Sequence, residues 1–540
     1  MTEAILHFID APQLKEWVHD ENELALLDIR EHGQYGEDHL FFAVPAPYST
    51  LELDIRRLVP NLSTRIALYA DEHSAAAAPA AAQALFRLGY TQVFALKGGI
   101  SSWKQAGYAT FAGVNLPSKT FGELAEHAYG IPTVSATALH SMLQDDQSNV
   151  IVLDGRPIEE YRKMNIPGAI CCPNGELALR INELAPDPET TIVINCAGRT
   201  RSIIGAQTLI NLDVPNKVYA LENGTQGWYL ADLPLEHNSN RLYPEVISDE
   251  SRPVLQQRAA KLKEKFDLPT VDAATVQGWL ADDSRNVFLC DIRTQEEHAH
   301  DAPATVQHTP GGQLIQATDQ YIGVRKSKIV ICDFDGIRAP VVASWLKQLG
   351  WEVYLLADPK NLSGLTEPKL PVPELQHTVA IEPAQLAAFI RAADPAAIVL
   401  DARASSDYRK NHLAGAVWAI RPTLLAQVDA LTSANKAGSA PVLLLGSSVR
   451  ALQFLAQDLE RHGLRNIYIC AVTESALEQT GLALEQSDSI PSDAECIDFL
   501  FFVHDRHEGN KAAARKYLEW ETNLVSQIDR QERNTFLLNH

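Results

Sequence analysis

A chain of 540 residues is too long for one hydrophobic core and predicts about three to five domains. With 68 acidic residues against 46 basic ones, the net charge of −22 excludes nucleic acid and anionic membrane as broad partners, so any anionic ligand has to be caught by a local positive pocket. The first 14 residues lack a basic start leading into an apolar core, no run of 18 apolar residues follows, and the seven cysteines show neither disulfide nor zinc spacing, which together point to a soluble cytoplasmic protein with reduced thiols, no metal and no cofactor.

In chain order, a short helix opening at Asp10 leads to the strand Leu26-Leu27-Asp28-Ile29-Arg30, then to an apolar strand Ile66 to Tyr69, a helix Ala81 to Leu88 and a strand Val93 to Leu96. The same succession returns. A helix starts at Ser135, Asp154 and Arg156 follow the strand residues Val152-Leu153, Ile166-Pro167-Gly168-Ala169 marks the next strand, and Ile192 to Ile194, Ser202 to Leu212 and Val218 to Leu221 complete the second copy. The third copy runs from Asp272 through Asp291 and Arg293 to Ile329–Ile331, Ala339–Leu349 and Val353–Leu356. The fourth runs from Glu382 through Asp401 and Arg403 to Val442–Leu445, Ala451–His462 and Ile467–Cys470. The four Asp-x-Arg strands lie 126, 137 and 110 residues apart, the spacing of whole domains rather than of a solenoid. Solid apolar strands alternating with helices predict an α/β fold of four small parallel sheets flanked by helices. The implied units are 1–115, 128–240, 267–368 and 376–487, with a helical linker at 241–266 and a helical C-terminal tail at 488–540, whose apolar start Phe499 to Val503 should dock on a domain.

The second copy carries the chemistry. Its strand Thr191 to Asn195 runs into Cys196-Ala197-Gly198-Arg199-Thr200-Arg201-Ser202 and then into a helix. Such a turn aims unpaired backbone N–H groups into one cup, and Arg199 and Arg201 add positive charge, so Cys196 is expected to be a low-pKa thiolate nucleophile. The corresponding loops elsewhere lack that thiol. The first reads Tyr69-Ala70-Asp71-Glu72-His73, where an acid is expected in place of the cysteine. The third reads Cys332-Asp333-Phe334, with Asp333 at the thiol's position and Cys332 turned into the sheet, and the fourth is the shortened Gly446-Ser447-Ser448.

Four signatures of the second copy, Asp154 with Arg156, Asn165-Ile166-Pro167-Gly168-Ala169, Cys196 to Arg201, and Gly224-Thr225-Gln226-Gly227-Trp228, resemble the rhodanese, or thiosulfate sulfurtransferase, family. The resemblance extends over nearly the whole chain, as four tandem rhodanese-like domains of which only the second keeps the cysteine. It implies a sulfurtransferase that moves sulfane sulfur from thiosulfate or a related persulfide donor to cyanide or a thiol, a protein thiol included, through a Cys196 persulfide. Ala197, Gly198, Arg199, Thr200, Arg201 and Ser202 would hold the anionic donor. Recurrence of Asp154 and Arg156 in the copies without the cysteine marks them as a structural ion pair near the site. Cys171 and Cys172 follow the segment that borders the cup, and at most one of two adjacent residues can face it. Trp228 and Trp103 read as packing residues, and His504 and His507 as a solvated pair without metal-site spacing. A cysteine-based phosphatase or arsenate reductase shares the cup but needs a longer Cys-to-Arg loop. The remaining alternative is a partner-binding scaffold whose single thiol carries or senses persulfide without turnover.

Overall fold

The computed structural model describes residues 5–71, 77–362, 372–393, 397–434, 440–501 and 510–538, so His73, His504 and His507 lie outside it. The described residues form four five-stranded sheets that share one strand order, first-fifth-fourth-second-third in each sheet's own sequence order. Every strand pairing within these sheets is parallel. The apolar stretches form the central strands: Ile66–Tyr69, Thr191–Asn195, Lys328–Cys332 and Val442–Gly446. Their buried faces on both sides explain why they read as unbroken hydrophobic runs rather than as alternation. The fourth unit adds a small antiparallel pair, His412–Leu413 with Leu484–Glu485.

In a doubly wound sheet the chain reverses direction between the fourth and second strands, and the crevice at their carboxyl ends is where such folds bind ligands. The register there fixes which residues correspond. Asp28 pairs with Tyr69, Asp154 with Asn195, Asp291 with Cys332 and Asp401 with Leu445. The position after each partner is therefore Ala70, Cys196, Asp333 and Gly446. This corrects the expectation for the first copy: Ala70, not an acid, stands where Cys196 stands, and Asp71 lies one residue beyond. The placement of Asp333 and of strand-buried Cys332 agrees with the sequence reading.

Two helices at the site have different histories in the sequence. The Lys511–Gln527 helix lies within the tail expected to be helical. The Leu116–Tyr129 helix, between the first two sheets, was not anticipated, because the residues it buries include Ser118, Lys119, Thr120 and Glu123. The Leu116–Tyr129 helix packs against both the Thr200–Asn211 helix and the Lys511–Gln527 helix beside the Cys196 loop. The linker is helical only over Ser251–Lys265, since Leu242 instead forms a bridge beside Cys171 at the edge of the second sheet. The described start of the expected apolar run lies against the first unit, where no Cβ would fit at Gly36 beside Leu500 and Gly33 donates its N–H to the preceding Ile497 O at 2.8 Å, while Phe502 and Val503 lie outside the described residues. One continuous core joins the first three sheets with Leu524 and Phe536 of the tail, whereas the fourth sheet packs around clusters of its own.

Candidate functional site

The second sheet supplies a rigid seat for the loop. Asp154 holds Arg156 through two bonds of 2.8 and 2.7 Å, and Asn195 donates its side-chain amide to Asp154 Oδ2 at 2.8 Å. The same Asp-x-Arg fork closes in all four units, as Asp28–Arg30, Asp291–Arg293 and Asp401–Arg403. Such buried pairs destabilise strongly, by about 3–5 kcal/mol, when one partner is removed. Beyond Asn195 the loop is pinned from behind: Cys196 O accepts from the Thr225 N–H at 2.8 Å and its hydroxyl at 2.9 Å, and Ala197 O from the Gln226 N–H at 3.0 Å. Gly224 makes this approach feasible, because its φ is +52° and a Cβ there would stand 2.3 Å from Cys196 O.

Cys196 is 2% exposed, and the Ser202 hydroxyl donates to its Sγ at 3.0 Å. Burial pushes the thiol above its usual pKa, with Arg201 and Ser202 pulling it down and Glu521 pushing it further up. The direction is opposite to the lowered pKa expected from the loop sequence, because burial outweighs the pull of Arg201 and Ser202. Both arginines of the loop are also already paired with carboxylates. Arg201 forms a two-pronged pair with Glu160 at 2.8 and 2.7 Å. Arg199 pairs with Glu123 at 2.7 and 3.0 Å and also with Glu126. Neither guanidinium is the free positive charge that the loop sequence suggests. Burial works against both cations, and their carboxylates more than restore them, so both sit above the usual arginine pKa. Burial against the same cluster raises the Glu123 carboxyl to about 7, despite Arg199.

Cys196 opens on a cavity of about 270 Å³ whose walls come from distant parts of the chain. Lys119 arrives from the Leu116–Tyr129 helix, Gln313, Gln316 and Gln320 from the third unit, and Tyr517 and Glu521 from the tail. Thr200 donates its hydroxyl to Glu521 Oε1 at 2.8 Å, while Glu521 Oε2 is buried without a hydrogen-bond partner. Lys119 donates to the Tyr517 hydroxyl at 2.7 Å. Of the expected site residues, Cys196 to Arg201 all line this cavity, as does Arg156, while Ser202 reaches it through the sulfur. Cys171 and Cys172 do not: they point into the two different cores on either side of the sheet. Burial raises both thiols, Cys171 to about 12 with Asp154 contributing. Trp228 and Trp103 are buried packing residues, each donating its indole N–H to a backbone carbonyl.

Sequence reasoning missed Lys119, Glu123, Glu126, the three glutamines, Tyr517 and Glu521. One signal was available: Gly122 interrupts a helical pattern, and a Cβ there would lie 2.7 Å from Thr200 Cγ2, so close helix approach was written into that residue. Among the described residues no cluster of His, Cys, Asp and Glu could hold a metal, and no helix is long and apolar enough to cross a membrane.

The rhodanese-like domain profile matches residues 10–106 and 135–231, the parts containing the first two Asp-x-Arg forks. A putative sulfur carrier protein of Bacillus subtilis is 39% identical over 85 residues, and an HTH-type transcriptional regulator of Mycobacterium tuberculosis is 33% identical over 115. Those matches take in 16% and 21% of this chain, which spans 44% and 50% of the respective relatives, about half their length. The crystal structure of a thiosulfate sulfurtransferase from Pseudomonas aeruginosa superposes with a TM-score of 0.88 at 36% identity, covering 99% of both chains. A likeness of that extent, through all four sheets and the tail that walls the cysteine, shows that this chain belongs to the rhodanese family.

Proposed function

We propose that the protein is a sulfurtransferase that carries sulfane sulfur on Cys196, taking it from thiosulfate or a related persulfide donor and handing it to cyanide or a thiol. The observation that carries this reading is the placement of one thiol at the carboxyl end of the central strand, with the Ser202 hydroxyl on its sulfur and Arg201 held beside it by Glu160. Deprotonated Cys196 attacks the outer sulfur of the donor, a new S–S bond forms, and the old S–S bond breaks with its electron pair leaving on sulfite. The acceptor thiolate or cyanide then attacks the outer sulfur of the persulfide, and Cys196 leaves as the thiolate.

The Ser202 hydroxyl and the loop N–H groups stabilise negative charge on sulfur both before and after the transfer. Arg201 faces the same atom, and its pairing with Glu160 fixes the guanidinium at the cost of much of its field. The buried setting keeps water from the persulfide. Ala197, Gly198 and Thr200 present the backbone of the cup, and Arg199 anchors the loop to the Leu116–Tyr129 helix. Incubating the full chain with thiosulfate should add the mass of one sulfur atom to the wild type and none to C196S. Sulfur retained on the serine variant refutes the assignment. A second reading, a non-turnover persulfide carrier or sensor on a partner-binding scaffold, is favoured by the three units that lack the thiol. Steady-state thiocyanate formation at many equivalents of protein separates the two.

A further inference from the structure

We propose that a second cavity, formed where the first unit, the third unit and the last residues of the tail meet, binds a small organic carboxylate with an apolar body, the carboxylate lying on Arg325. This cavity measures about 420 Å³ and does not include Cys196. The two cavities lie back to back, for Ser118 lines one and its neighbour Lys119 the other.

Three features point to an anion with an apolar portion. First, the Arg325 guanidinium lies 3.5 Å above the Phe42 ring, donates through Nε to Val18 O at 3.3 Å, and has no carboxylate of a described residue within 4.0 Å. Two of the nearby acids are engaged elsewhere: Glu532 accepts from Lys15 at 3.1 Å and from the Asp529 N–H at 2.9 Å, and Glu21 pairs with Lys326. A cation left without an acid in a chain of net charge −22 is a site waiting for a counter-ion. A guanidinium offers a planar fork that matches a carboxylate.

Second, a buried polar atom of a residue that lines the cavity has no partner, His19 Nε2. Polar atoms buried in that way are uncommon and call for a ligand or water. Burial, helped by Lys15 and Arg325, lowers His19 to about 4, so its ring is neutral at pH 7 and Nε2 is available as a hydrogen-bonding group. Third, the remaining wall is apolar: Leu26, Phe42, Val44, Leu349 and Trp351 offer a surface for the body of the ligand.

Equilibrium binding of 3-phenylpropionate to the full chain tests this, with 3-phenylpropanamide as its neutral counterpart and inorganic phosphate as a competing anion. The carboxylate should bind the wild type, with the amide about tenfold weaker or more because it lacks the charge, and phosphate about tenfold weaker or more because it lacks the apolar body. R325Q should lose about tenfold or more of the affinity. N534W, which changes an exposed residue on the cavity wall, should block binding while leaving sulfur loading at Cys196 at the wild-type level. If R325Q does not fold, N534W decides the matter. Absence of binding to the wild type, equal binding of the amide or of phosphate, or wild-type affinity in N534W or folded R325Q would each overturn the proposal.

Discussion

The second and third units place different side chains in the same cup. In both, a glutamate on the helix after the Asp-x-Arg fork grips the arginine five residues beyond the critical position: Glu160 with Arg201, and Glu297 with Arg338 at 2.7 and 2.8 Å. In the third unit the cup is already filled from within. Asp333 Oδ2 accepts the N–H groups of Arg338 at 3.0 Å and Ala339 at 2.9 Å, the positions that correspond to Arg201 and Ser202. Burial, reinforced by Asp335, raises that carboxyl to about 7 even though Arg338 opposes the shift. Arg338 is further tied across the interface to Glu176 at 2.8 Å. The strand-loop-helix turn thus belongs to the scaffold, and what sets the second unit apart from the third is a sulfur at its lip with a cavity in front of it.

That comparison can be broken most directly by moving the thiol. C196S should abolish sulfur loading, and D333C added to it should restore loading in the third unit to a measurable extent but about a hundredfold more slowly than in the wild type, because Glu176 and Glu297 still hold Arg338. Intact mass measurement after exposure to thiosulfate reads the result. A double variant that takes up no sulfur would show that the two cups are not equivalent.

A smaller effect is expected at the shared arginine. R201Q removes the leading influence that opposes burial at Cys196, so the thiol pKa rises further. At pH 7, below that pKa, the reactive thiolate fraction falls, and alkylation of Cys196 by iodoacetamide should slow about tenfold to a hundredfold. The sign follows from the raised thiol: reactivity climbs with pH in the wild type, and R201Q should shift the whole profile to higher pH. An unchanged profile would mean that Glu160 already cancels Arg201.

The smallest change comes from the tail. Glu521 pushes the Cys196 pKa upward, so E521Q should move the alkylation profile to lower pH and speed the reaction at pH 7 about two- to tenfold. A profile that moves the opposite way would show that the contact with Thr200, rather than the charge of Glu521, governs the loop.

Much of the fold was legible because its signals are local. The strands Ile66–Tyr69, Val93–Leu96 and Val218–Leu221 fall at the residues the apolar runs marked. Asp10 caps the first helix through its side chain, accepting from the Gln13 N–H. The Leu116–Tyr129 helix was illegible for the opposite reason: it buries Lys119 and Glu123, which a periodicity argument assigns to solvent. The displaced acid of the first unit shows the limit of loop reading, because Ala70 is identified only by the pairing of Asp28 with Tyr69.

By itself the sequence determined the four-fold repeat, the alternation of strand and helix, and the one loop among four with a cysteine at the strand end, since each depends on residues that are neighbours along the chain. The charge state of that loop was decided only in three dimensions. Arg199 meets Glu123 across 76 positions, and Thr200 meets Glu521 across 321. Whether an arginine reaches a ligand as a free cation or is already neutralised depends on which carboxylates the packing brings within a few ångströms, and burial then sets how strongly each one counts.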